Sequence, residues 1–328
     1  MNIANKALIS FCFLLLIFIL SACKQTEQSQ ENIIMENEQQ NISYSFKNPN
    51  TGQEFTIIHA YMLYENYFET IKNHPDESPY QLYKQVIIDP VYDACFKDAE
   101  YYKFSVFEWS PEESDFNSIK NQIESMDKDY LNELFEESLV KSSDILSSDK
   151  KTTVCVFPKN EKFPSDLETA GSGKILVYLN YFDDYYNLSE LDNYYKSGMS
   201  HEYHHSVWTE KHYKGDYYLT VLDDLIMEGQ AVMFETLVYP DSNSTDYVVD
   251  ESFYKEYWSK IETYLGSSYS VEFLIGGSNG LPDYYGYSEG YKMIRSYLNL
   301  HPDMTVEEWT SKSPKEIFEE GNYMANYE

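Results

Sequence analysis

Positive charge is scarce in this chain. Its 328 residues carry 24 Lys and Arg against 55 Asp and Glu, a formal charge of −31, and Arg295 is the single arginine. A field of that sign repels phosphate backbones, which excludes nucleic acid as a partner. Cysteine is scarce too: there are four, none in a CxxC pair, so a cysteine-built zinc or redox site is excluded. Beyond about Ser45 there is no internal repeat and no Pro/Gly/Ser-rich seam, so one domain is expected rather than a string of modules. What remains is rich in apolar groups. A hydrophobic content of 42% with 17% aromatics, including 33 Tyr, is too high for a disordered acidic chain and sufficient for a large core. The tyrosine excess reads first as codon usage of an AT-rich genome and second as an aromatic surface for sugars.

The amino terminus reads as an address. Lys6 precedes the apolar run Ala7 to Leu20, which has about the length of a signal-peptide h-region and falls short of the ~17 residues of a membrane span. The run ends in Leu20-Ser21-Ala22-Cys23, which resembles the lipobox of bacterial lipoproteins. That resemblance implies cleavage before Cys23, lipid on its thiol, and a mature protein tethered to the membrane in the cell envelope, on the outer side of the cytoplasmic membrane. Residues 1–22 are therefore predicted to be a signal peptide, and 23–45 a lipidated cysteine with a polar tether rich in Gln, Glu and Asn. The domain follows over 46–328, helical in 46–150 and catalytic in 151–328. Cys12 leaves with the leader. Cys95 and Cys155 stay, either as a disulfide or as two buried thiols, and their spacing does not decide.

Helical patterning runs from His59 to about Ser147, with breaks near Pro75, Pro79 and Pro90. Two strand candidates follow. Thr152 to Phe157 is rich in β-formers before Pro158. Lys174 to Asn180 (KILVYLN) is an unbroken apolar run that suits either a buried central strand or an edge able to add an extended peptide. Segments around 198–212, 217–238, 250–265 and 286–299 then carry helical periodicity. The predicted class is α+β, mostly helical, with a small sheet ahead of the helix that bears the chemistry.

That chemistry lies in His201-Glu202-Tyr203-His204-His205, an H-E-x-x-H. At 100° per residue the two outer histidines differ by about 40° on a helix and can share one metal ion, while Glu202 sits about 100° round from His201. A base for metal-activated water belongs there. Met199, Tyr203 and Val207 fall on the opposite face, which makes the helix apolar behind and leaves inward imidazoles needing a partner. A solvated, His-rich helix face is the alternative. After His205 the chain reads SVWTEKHYKG, so the H-x-x-G-x-x-H continuation of metzincins is excluded. His204, on the far side of His201 from Glu202, is assigned either to packing or to a supporting place behind the ligands, and His212 to a helix end.

A third ligand has to come from a neighbouring element. In VLDDLIMEGQAVMFETL an apolar stripe runs through Leu222, Leu225, Ile226, Gly229, Val232, Met233 and Leu237, with Glu228 on its border, Asp224 one turn before and Glu235 two turns after. Gly229 and Ala231 are small enough to admit a close helix. These acids form either an ordinary solvated face or a ligand set, with Glu228 on the metal and Asp224 orienting a histidine.

HEYHH, the following LDDLIMEGQA, and Gly286-Tyr287-Ser288-Glu289-Gly290-Tyr291 with the tail HPDMTVEEW…SPKEIFEEGNY together resemble the YjaZ-like group of predicted bacterial zinc-dependent proteases, of the gluzincin type. The resemblance covers Lys174 to about Tyr323. It implies a zincin-like fold, zinc held by His201, His205 and Glu228, Glu202 as the catalytic carboxylate, and a tyrosine, Tyr287 or Tyr291, as donor to the oxyanion. Gln230 and Trp208 depart from the familiar pattern as packing differences.

Two functional classes follow. One is a membrane-tethered zinc peptidase acting on a peptide or protein substrate, with a negative field that favours basic or neutral ones. The other is a catalytically silent zincin-like lipoprotein that binds a ligand, a metal or a partner. An aromatic-rich carbohydrate-binding module is a third, lesser reading.

Overall fold

The computed structural model describes residues 42–101, 104–160, 162, 163, 165–179, 188–213, 215, 219–240, 252–268, 276, 277 and 280–328. The predicted signal peptide, Cys23 and nearly all of the predicted tether lie outside the described residues. Tyr44–Glu328 makes one compact unit.

The sheet explains why the apolar runs are where they are. Strands β1 (Ser43–Lys47), β2 (Glu54–Ile58), β3 (Thr152–Pro158), β4 (Leu167–Gly171) and β5 (Lys174–Leu179) are ordered β1-β2-β3-β5-β4. β2 runs parallel to β3 with Ile57 opposite Val154, and β3 parallel to β5 with Val154 opposite Ile175. β4 returns antiparallel to β5, so KILVYL is a central strand and β4 is the edge beside it. A strand covered on both faces needs the unbroken apolar run that β5 has. β1, β2 and β4 are short and mixed in polarity, and the run-based reading missed them. β1 starts at Ser43, inside the stretch assigned to the tether.

Side chains alternate across the sheet. Val154, Val156, Ile175, Val177 and Leu179 face one core, shared with Leu131, Phe135, Met199, Tyr203 and Leu225. Phe157 and Tyr178 meet rings instead: Phe157 stands 6.1 Å from Phe96, and Tyr178 4.5 Å from Phe163. Cys155 is bonded to Cys95, so the two cysteines form a disulfide that ties the short helix Asp89–Cys95 to β3.

Four helices among the described residues are long: α1 (Lys128–Ile145), α2 (Leu188–His212), α3 (Val221–Val238) and α4 (Tyr285–Leu300). α1 begins where the Asp127 carboxylate accepts from the N–H groups of Asp129 and Tyr130. α3 begins with a capping box, Thr220 and Asp223 each accepting the other's backbone N–H. α3 and α4 cross at Gly229 and Gly290, where a Cβ on Gly229 would come 2.1 Å from the Gly290 carbonyl carbon and one on Gly290 1.9 Å from the Leu225 oxygen. Only glycine permits that approach. No helix among the described residues is long and apolar enough to cross a membrane.

Candidate metal centre

α2 carries the H-E-x-x-H in its middle, and α3 supplies the acid opposite. Nε2 of His201 and Nε2 of His205 each lie 3.1 Å from one oxygen, Oε2 of Glu228. All three side chains are buried, and their ligand atoms lie within 4.8 Å of one another. A tetrahedral centre with bonds of about 2.0–2.1 Å separates its ligand atoms by about 3.3 Å, so two imidazole nitrogens and a carboxylate oxygen at these spacings suit zinc. The solvated histidine face and the solvated acidic face are thereby ruled out.

The electrostatics point the same way. Burial by itself drives Glu228 toward its neutral acid, but the imidazoles of His205 and His201 outweigh it and hold the carboxyl well below the usual range. Burial likewise opposes charge on His201, yet Glu228 and Glu235 raise its pKa well above the ordinary value. The cluster thus draws positive charge inward, which a divalent cation satisfies. A second buried acid shows the contrast: Glu289 of α4 has its own cation, Lys292 Nζ at 2.8 Å, and accepts from the Tyr323 and Tyr327 phenols. Among the described ion pairs Glu228 is met only by imidazoles.

Glu202 lies beside the cluster on the sheet side. Its Oε2 and its backbone oxygen are each 2.8 Å from Oγ1 of Thr169, on the edge strand β4. Tyr287 comes close to the cluster too, its ring centroid 6.2 Å from that of His201.

Residues 131–319, more than half of the chain, match the family described as "Predicted Zn-dependent protease (DUF2268)". The chain belongs to that family. No curated protein and no solved structure matches it. The match begins in α1, ahead of Lys174, and spans every residue of the cluster; with it the mixed, mostly helical architecture is zincin-like.

One expectation is corrected. The carboxylate at the outer nitrogen of His201 is Glu235, whose Oε2 lies 3.3 Å from Nδ1, rather than Asp224. Among the described hydrogen bonds, Nδ1 of His205 has no partner and none joins Asp224 to either imidazole. Glu235 lies two turns beyond Glu228 and so on nearly the same face of α3. Asp224 is buried near the Tyr101 phenol, whose pKa its charge helps to raise. The two tyrosines also separate: Tyr287 adjoins His201, whereas Tyr291 lies under Arg295, with the guanidinium 5.8 Å from its ring. His204 packs as expected, stacked on Trp309 with Nε2 3.2 Å from Thr310 Oγ1 and its pKa pressed well down by burial. His212, the last residue of α2, meets the Thr310 carbonyl oxygen at 2.7 Å. Gln230 donates to the Trp309 carbonyl and Trp208 is buried against His212, which makes both packing residues. Thr169 was missed because no local pattern marks it.

Proposed function

We propose that the protein is a zinc metallopeptidase that hydrolyses peptide bonds outside the cytoplasm, lipid-anchored through Cys23. The convergence of His201, His205 and Glu228 on one point, with Glu202 beside it, carries this reading. His201, His205 and Glu228 would hold zinc there, and the bound ion would polarise a carbonyl and lower the pKa of water toward ~7. Glu202 takes the proton of the attacking water and passes it to the departing amine. Tyr287, next to His201, donates its phenol hydrogen to the oxyanion. Glu235 orients the His201 ring from behind. The Cys95–Cys155 disulfide supports an oxidising compartment, as the lipobox-like leader does.

The test is Glu202→Gln in the full mature chain. Wild type should hold one zinc per chain and cleave members of a broad peptide library. The variant should keep its zinc and lose about 10²- to 10⁴-fold in rate, the range of general acid–base catalysis. An equally active variant removes Glu202 as the base, and a zinc-loaded wild type that cleaves nothing leaves the silent, ligand-binding class.

A further inference from the structure

We propose that Thr169 is a positioning residue that fixes the Glu202 carboxylate for proton transfer, an inference that rests on the peptidase reading above. α2 lies along β4 through residues spaced one turn apart, which face one way. Gly198 lets the helix close on Leu167, since a Cβ there would stand 3.1 Å from Leu167 Cδ1. Glu202 meets Thr169, and Ser206 Oγ accepts the N–H of Gly173 at 2.7 Å, in the turn after β4. Glu202 is therefore held between the sheet edge and the face that carries His201 and His205.

β4 is irregular where this matters. Its register against β5 shifts between Thr169 and Gly171, and such bulges re-aim side chains beside sites. Gly171 has φ +148°, and a Cβ on it would come 2.0 Å from Glu100 Oε2, so the irregularity depends on glycine there.

Thr169 has one hydroxyl hydrogen for two acceptors of the same residue, the Glu202 backbone oxygen and Oε2, each at 2.8 Å. Sharing it fixes the carboxylate against its own backbone and occupies Oε2. Oε1 is left to take the proton from water and to return it to the amine. Valine fills the same volume and cannot do this, whereas serine can.

Thr169→Val, Thr169→Ser and Thr169→Val/Glu202→Gln in the zinc-loaded full chain test the proposal. Thr169→Val should lower kcat about 10- to 100-fold, the scale of a misplacement near 1 Å, with KM and zinc content within about twofold of wild type. Thr169→Ser should recover most of the rate, and the valine should have no further effect once Glu202 is Gln. In crystal structures, Thr169→Val should displace the Glu202 carboxylate, and wild type should not. Unchanged kcat in Thr169→Val, failed rescue by serine, an equal loss in the Glu202→Gln background, or an unmoved carboxylate overturns the proposal. If wild type cleaves nothing the peptidase reading fails, and the crystallographic comparison alone decides for or against Thr169.

Discussion

The two faces of the sheet bury different kinds of polar group. Behind β3 and β5, the rings of Phe96, Phe157, Tyr178 and Phe163 meet in a tilted, edge-on chain on the side of the Cys95–Cys155 disulfide, and the buried polar atoms there include neutral phenols, with Tyr83 pushed well up by burial. In front, α2 and α3 bury His201, His205, Glu228 and Glu235 together. Each buried ion costs several kcal/mol unless it is paired and hydrogen-bonded. The front face carries that cost inside an apolar core of its own, in which Met199, Tyr203 and Leu225 meet Val154, Ile175 and Val177, whereas the rear face adds a covalent tie. A site of this kind needs a scaffold whose stability comes from elsewhere.

Removing the disulfide is the largest test of that division. Cys95 and Cys155 are 60 residues apart, and closing such a loop restricts the unfolded chain by about 4 kcal/mol. The Cys95→Ala/Cys155→Ala protein should lose about that much in urea unfolding while still binding one zinc per folded chain. Zinc lost from the folded double variant would show that the two faces are coupled.

The front face was the more legible of the two. H-E-x-x-H fixed the side of α2 by helix geometry alone, and the stripe through Leu225 and Val232 placed Glu228 at a border that the structure buries. Preferring Asp224 to Glu235 had no basis in periodicity, because helical period puts both near the face of Glu228 and only the crossing of α2 over α3 decides which imidazole each can reach. Thr169 was illegible for a related reason: its role arises from a register shift in an edge strand. On the rear face the disulfide was left open, since a partnership across 60 residues depends on where Asp89–Cys95 docks and not on spacing.

Acid should probe a smaller effect, because histidines here are held in opposite states. His59, after β2, is fully buried with Nε2 2.8 Å from Asn132 Oδ1, and burial pushes its pKa down to about 4. The fold favours its neutral form. Its contribution is thus fully present above the unfolded value of about 6.5 and is lost as pH falls from there toward 4, up to about 3 kcal/mol. Urea unfolding of wild type and His59→Gln at pH 7 and pH 4.5 checks this: the variant should lose less on acidification. Parallel losses would take His59 out of the account.

Glu235→Gln is the smallest change, and it isolates the front face. The substitution keeps size and shape but removes the charge opposite Nδ1 of His201, 3.3 Å away. A carboxylate there fixes the ring so that Nε2 points at the ion and makes that nitrogen a stronger donor, and losing such a partner typically costs 10- to 100-fold in metal affinity. Zinc affinity, measured by chelator competition, should fall by about that factor. Unfolding of the chelated protein should shift little, because a buried anion has been exchanged for a neutral amide of the same volume. Asp224→Asn provides the contrast, since among the described hydrogen bonds Asp224 meets neither imidazole nitrogen and its loss should leave zinc affinity within about twofold. If Asp224→Asn weakened zinc as much as Glu235→Gln, the effect would come from general negative charge on α3, and orientation of His201 by a specific carboxylate would have to be given up.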